Sequence, residues 1–302
     1  MREIPPIYPR EDDNAKKKEK IYDRRQFLKK SVKLAMGLGA VSALGPLAPK
    51  VFGETAPSKE KERTEKEIQQ ARNILLTGDP ERFLENRFVV SALYYSQNFL
   101  TKGIYSDLKD PTRMVVAAIK DLITPELRKK YIDYLSKIYI ESSPPRVVPK
   151  VSLPLKRMNF GTGKNHLDAI DLFTSEGAPV SAMTDGVVAL AENGWKKEDR
   201  LSTVSYRGGN TVILFSFAKK DFYRYCHLAS TPLKAGDFVS AGDSIGIVGH
   251  SGMNASLPGH GGHLHLENNK LDPESGNMFF TSSSELKGRI LKIEQQYLAS
   301  NK

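Results

Sequence analysis

The stretch Gly262-His263-Leu264-His265-Leu266-Glu267 decides how this chain is read. In an extended strand residues two apart point to the same face, so His263 and His265 project together into one site. A lone His-x-His pair is weak evidence, because structural strands contain it too. Here, however, all six histidines of the 302 residues fall between His166 and His265. Two further strand-like segments bring more ligand-type side chains: Asn165-His166-Leu167-Asp168-Ala169-Ile170-Asp171-Leu172-Phe173 and Tyr225-Cys226-His227-Leu228.

Working outward, residues 169–173, 180–182, 186–191, 210–216, 222–226 and 244–248 are predicted strands, with Asp185-Gly186 and Gly208-Gly209 as turns. No helical period separates them, so the expected sheet is antiparallel. Upstream, residues 64–141 read as helical. Asp79-Pro80, Asp110-Pro111 and Thr124-Pro125 each set a capping side chain before a proline at the first helical position. Leu127, Tyr131, Tyr134, Leu135 and Ile138 recur at helical spacing. This region has no His or Cys, and no chemistry is expected of it. Its aromatics Phe83, Phe88, Tyr94, Tyr95 and Phe99 are assigned to a helix-bundle core, with an autoinhibitory or partner-docking role as the other reading. Prolines 144, 145, 149 and 154 mark a linker, and Leu286, Ile290, Ile293 and Leu298 restore a helical period near the end. The fold class is therefore α+β: a helical domain over 57–141, a Pro-rich linker over 142–154, an antiparallel β-sandwich-like domain over 155–275 and a helical tail over 276–302.

Residues 1–56 stand apart. Asp23-Arg24-Arg25-Gln26-Phe27-Leu28-Lys29 precedes an uncharged Gly- and Ala-rich run over 34–49, and the paired arginines resemble a twin-arginine export signal. The run is about 16 residues, short of the ~20 that span a bilayer, so it is read as a removable segment that leaves no membrane span in the mature form. This makes the periplasm the expected location and the twin-arginine translocase a transient partner; an uncleaved signal anchored in the inner membrane is the alternative. The segment holds twelve Lys/Arg against seven Asp/Glu, half of the net +10 of the chain. The remaining charge forms no basic stripe, and no nucleic-acid partner is expected.

Cys226 is the only cysteine, which excludes an internal disulfide and a cysteine-based zinc cluster. Strand alternation places its side chain away from the His227 face, packed inside. Histidines and carboxylates remain as ligands. Two imidazoles and one carboxylate with an open fourth position make a hydrolytic zinc site, and two more imidazoles beside it serve proton transfer and oxyanion stabilisation.

The order of the segments is specific. The His263 motif follows Tyr225-x-His227-Leu228 and an aspartate trailed by Gly177-Ala178-Pro179-Val180 and Asp185-Gly186-Val187-Val188. Leu233-Lys234-Ala235-Gly236-Asp237-Phe238-Val239-Ser240-Ala241-Gly242-Asp243-Ser244-Ile245-Gly246 and Val248-Gly249-His250-Ser251-Gly252 complete the pattern. Over about residues 151–273 the chain resembles the lysostaphin-type (LytM-domain) zinc metallopeptidases, whose fold is of the duplicated hybrid motif type. The resemblance implies Zn2+ as cofactor, with His166, Asp171 and His265 as ligands and His227 and His263 as the catalytic pair. It also implies endopeptidase activity on the peptide cross-links of peptidoglycan in the cell wall. The family commonly sets its first histidine four residues before the aspartate; His166 lies five before Asp171, while Asp171 keeps the family's six-residue distance to Gly177. Asp168 is the less favoured competitor, and His250 and His260 match no family ligand. A catalytically weak LytM-type regulator that activates a cell-wall amidase, its partner, is the alternative.

Overall fold

A computed structural model describes residues 58–95, 110–142, 150–161 and 168–300. The paired arginines, Phe99, His166 and most of the Pro-rich linker lie outside the described residues.

The N-terminal part is helical because its caps and periodicity act together. α1 (Lys59–Thr77) starts where the Ser58 hydroxyl accepts the Lys61 N–H and stops at Gly78, whose φ of 64° supplies the left-handed turn. α2 (Pro80–Phe83), α3 (Arg87–Tyr94), α4 (Pro111–Ile119) and α5 (Pro125–Ser142) follow. The three expected proline starts form as read: Asp79, Asp110 and Thr124 accept N–H bonds from Glu81, Thr112 and Leu127. The chain then enters a ten-stranded sheet whose main path runs β1 (Asn159–Phe160), β2 (Ala169–Phe173), β9 (His263–Leu271), β6 (Asp221–Ser230), β5 (Asn210–Ser216), β4 (Gly186–Glu192), β7 (Phe238–Val239). Every pairing is antiparallel. β3 (Pro179–Ser181) pairs with β8 (Ser244–Val248), which joins β6, and β10 (Met278–Phe280) pairs with β9. The terminal helix, α6, spans Ser283–Ser300. The α+β class with an antiparallel sheet, preceding helices and a closing helix is thus the one expected.

The two faces of this sheet are buried against different layers. Leu172, Leu264, Leu266 and Tyr225 join Val180, Val248, Leu286 and Ile290 in one core, so β3, β8 and α6 cover that side. On the opposite face Val187, Ala189, Ile213, Phe215 and Phe222 pack with Ala71, Phe83, Phe88, Val115 and Leu135 of the helices. Helices and sheet therefore share one apolar core. Polar anchors reinforce it: the Arg87 guanidinium donates to the carbonyls of Leu201 and Ser202 and stands 3.6 Å from the carboxylate of Glu192 on β4. Among the described residues, no helix is long and apolar enough to cross a membrane.

Burial raises the pKa of Glu192 to about 7, against the opposing effects of the Val204 N–H and Arg87. A carboxyl group whose folded pKa lies above its unfolded value contributes stability at low pH and loses it as pH rises through the folded value. Wild type and Glu192→Gln should accordingly be of similar stability at pH 5, with wild type falling behind by pH 8; urea denaturation at the two pH values measures the gap.

Candidate active site

Three strands bring the site together through their register. Asp171 on β2 pairs with His265 on β9, and His265 pairs in turn with Cys226 on β6. Residues directly opposite on neighbouring strands share a face, so Asp171, His265 and Cys226 all project from the face that carries the helices further along. His263 and Glu267 join them by the period of two. A cavity of about 290 Å³ opens here, lined by Asp171, Cys226, His227, His260, His263, His265 and Glu267 and walled on the helical side by Tyr95 and Arg113.

Strict alternation would have put Cys226 on the buried core face and His227 with Tyr225. The structure corrects this for Cys226. Between β5 and β6 the register passes from Val212↔Tyr225 to Asn210↔Leu228, so β6 holds one extra residue there. Cys226 faces the cavity through its pairing with His265, and the extra residue with the left-handed φ of 63° at His227 lets His227 face it too, while Tyr225 and Leu228 stay in the opposite core. The Asn210 amide satisfies the displaced carbonyls of Leu228 and Ala229. The out-of-phase apolar Leu228 after Tyr223 and Tyr225 was the available sign of the bulge. The Cys226 thiol remains an unreactive filler: burial pushes its pKa up to about 12.

Each imidazole is held by a specific partner. His227 Nδ1 donates to the Ser251 carbonyl at 2.7 Å, and His263 Nδ1 to the Gly261 carbonyl at 2.9 Å. A carbonyl only accepts, so in both neutral rings the proton sits on Nδ1 and Nε2 keeps its lone pair. The two rings are 4.8 Å apart, and Phe173 stacks on His263 at 5.2 Å. Burial, with His265 and His263 beside it, lowers the pKa of His227 to about 3. His265 is the opposite case. Its Nδ1 lies 2.8 Å from Asp171 Oδ1 and its Nε2 3.2 Å from Glu267 Oε1. Burial opposes its charge, but the bonds to Asp171 and Glu267 outweigh that and raise its pKa to about 9. Glu267 is itself buried, yet Arg224 Nη1 at 3.1 Å and His265 hold its carboxyl down at about 2.

Four of the five site residues read from the sequence, Asp171, His227, His263 and His265, therefore meet in one cavity, and the fifth, His166, lies outside the described residues. No group of three metal-type ligands is complete among the described residues. Asp168 is not among the cavity-lining residues. His250 pairs with Glu176 at 3.1 Å and is likewise not among them, whereas His260 does line the cavity. Tyr94 and Tyr95 of the helical region are buried core aromatics as expected, and in addition their hydroxyls bond Glu267 and Arg224. Nothing in the local sequence separates such tyrosines from core residues.

The donor set fits a divalent cation. Asp171 and His265 set a carboxylate oxygen and an imidazole nitrogen 2.8 Å apart on neighbouring strands, two donors of the types that zinc takes.

Residues 165–277 match the model of peptidase family M23. Over 105 residues the chain is 33% identical to glycyl-glycine endopeptidase ALE-1 of Staphylococcus capitis, a stretch covering 35% of this chain and 25% of that protein. It is 32% identical over 98 residues to lysostaphin of Staphylococcus simulans, covering 32% of this chain and 17% of that one. A solved structure of lysostaphin from S. simulans aligns with 41% of this chain and 46% of its own at 26% identity, with a TM-score of 0.31. The chain thus spans a quarter or less of the length of these curated relatives, and its helices lie outside the family match.

The Ser251-Gly252 turn is the site's tightest support. Gly252 has φ 104°, and a β-carbon there would come 2.3 Å from the Arg207 carbonyl and 2.9 Å from His227 Nδ1. Gly252→Ala is expected to cost more than about 1 kcal/mol and to displace His227; a thermal melt and the His227 ring resonances in an NMR spectrum check both effects.

Proposed function

We propose that this chain, whose residues 165–277 match peptidase family M23, is a zinc-dependent endopeptidase that hydrolyses the peptide cross-links of peptidoglycan. The observation that carries the reading is the convergence of Asp171 and His265 with two further histidines whose Nδ1 atoms are committed to backbone carbonyls. The likeness to a glycyl-glycine endopeptidase supports peptide bonds as the target class. The twin-arginine segment over residues 1–56 carries the chain to the periplasm, where this polymer lies.

His166, Asp171 and His265 would hold the metal. When bound, zinc supplies Lewis acidity toward a water molecule and the scissile carbonyl. The protein's own part is proton handling and orientation. With Nδ1 donating to the Gly261 and Ser251 carbonyls, His263 and His227 each present an Nε2 lone pair, so either accepts a proton from the attacking water. The ring that gains the proton becomes a donor at Nε2. It can then stabilise the oxyanion or return the proton to the leaving amine. Burial keeps the His227 ring neutral until that moment, and Phe173 stacks on the ring of His263. The carbonyls of Ser251 and Gly261 serve the role that a carboxylate plays in other histidine bases: they fix the tautomer without adding charge.

The purified full chain should hold about one zinc per chain and release peptides from muropeptides. A chelator should stop the release and added zinc restore it. His265→Ala should lose both metal and activity, whereas His227→Ala and His263→Ala should keep the metal and lower kcat by about 10²- to 10⁴-fold. Zinc analysis together with mass spectrometry of released peptides measures all of this. A protein that binds no zinc and leaves every muropeptide intact would sink the peptidase reading and favour an amidase-activating regulator.

A further inference from the structure

Glu267 follows His265 by two residues on the same strand face, and its carboxylate is gripped by partners from both layers. Oε1 faces His265 Nε2 at 3.2 Å, Arg224 Nη1 reaches both oxygens at 3.1 Å, and Oε2 accepts the Tyr94 hydroxyl at 3.0 Å. The same Arg224 Nη1 donates to the Tyr95 hydroxyl at 2.8 Å. Arg224 and Glu267 face each other across β6 and β9, whereas the two tyrosines end the helix Arg87–Tyr94, some seventy residues before the family match begins.

The tyrosine pair is itself anchored. Asn269 on β9 donates its amide to the Tyr94 carbonyl at 3.0 Å, and Arg128 of α5 donates to the Tyr95 carbonyl at 3.2 Å. Their rings meet edge to face at 5.2 Å. Sheet and helices thus both fix where the two hydroxyls stand. A buried arginine–glutamate pair is costly to desolvate and is retained only when its remaining hydrogen-bonding capacity is filled. Here the hydroxyls supply part of it: the Tyr94 hydroxyl donates to Glu267, and the Tyr95 hydroxyl accepts an N–H of Arg224.

We propose that Tyr94 and Tyr95 are positioning residues of the active site, which through Arg224 and Glu267 hold the His265 ring with Nε2 as donor and Nδ1 directed at Asp171. The inference rests on the metallopeptidase reading, and extends it by making the helical segment a working part of the site. Ring orientation and tautomer of a ligand histidine are set by what its second nitrogen bonds, and loss of that partner commonly weakens metal binding by about 10- to 100-fold. An M23-type domain whose Glu267 lacks the tyrosines retains its ligands but loses the support that orients one of them.

The test uses the full chain and reads zinc affinity by competition with a chromophoric chelator, alongside kcat and KM on muropeptides. Tyr94→Phe/Tyr95→Phe should bind zinc about 10-fold more weakly or worse, with kcat reduced and KM little changed. Ser136→Ala removes a part-buried contact between α5 and Lys220 of the β5–β6 turn away from this cluster, and should lower thermal stability without moving zinc affinity. Glu267→Gln should also weaken zinc binding, and adding the tyrosine changes to it should weaken binding little further, since the hydroxyls act through that carboxylate. Zinc affinity within about twofold of wild type in the double variant, or additive losses on the Glu267→Gln background, overturns the inference and leaves the peptidase reading standing. Should the double variant not fold, Tyr94→Phe and Tyr95→Phe separately carry the same comparison. A wild-type chain that binds no zinc removes both readings together.

Discussion

The alignment of Asp171, His265 and Cys226 across three antiparallel strands is the constraint on which the site depends. A slip of one residue in either pairing would send every side chain of the moving strand to the other face. What prevents the slip is the apolar half of the same strands. Leu172, Leu264, Leu266 and Tyr225 are all fully buried in the core beneath, and fully burying such a side chain is worth roughly 1.5–3 kcal/mol. Exposing that set would cost far more than any gain among the polar partners. The polar atoms of the front face are thus placed by the apolar atoms of the back face.

One local departure from this regularity brings the His227 imidazole into the site. The extra residue in β6 and the positive φ of His227 let two consecutive residues face the cavity, which an unbroken strand forbids. The bulge is stabilised from several sides: the Asn210 amide takes two carbonyls, and the Ser251 hydroxyl accepts the Asn210 N–H while donating to the Leu228 carbonyl. Gly252 then lets the turn close over the ring of His227. Backbone strain and hydrogen bonding here serve the orientation of one side chain.

The front face has a second occupant, the helical layer, and the boundary between the two is where Arg224, Glu267, Tyr94 and Tyr95 lie. Moving along β9 and β6, the paired residues pass from Asn269 and Phe222, against the helices, to Glu267 and Arg224, and then to His265 and Cys226 in the cavity. Apolar packing and polar chemistry therefore merge over two strand steps. This continuity explains why a helix outside the family match reaches a carboxylate next to His265, and why two aromatic residues with the pattern of core side chains have hydroxyls in a polar network.

Much of this was legible in the residues themselves. The proline-started helices, the strands, the alternation around His263 and the family-like order of motifs follow from interactions between near neighbours in the chain: an N-cap is satisfied within three residues, and a strand face repeats every two. Asp171, His227, His263 and His265 were identifiable for that reason. That Cys226 and His227 both face the cavity was not, because register and bulge are set by which partner strand the residues meet. Nor were the roles of Arg224, Tyr94 and Tyr95, whose partners are 43 to 173 residues away. By itself the sequence determined which side chains have the chemistry of a site and which face of each strand they share, since local periodicity is a property of the chain. Only the tertiary structure decided that a helical layer shares that face, because contacts between distant segments depend on how two apolar surfaces find each other.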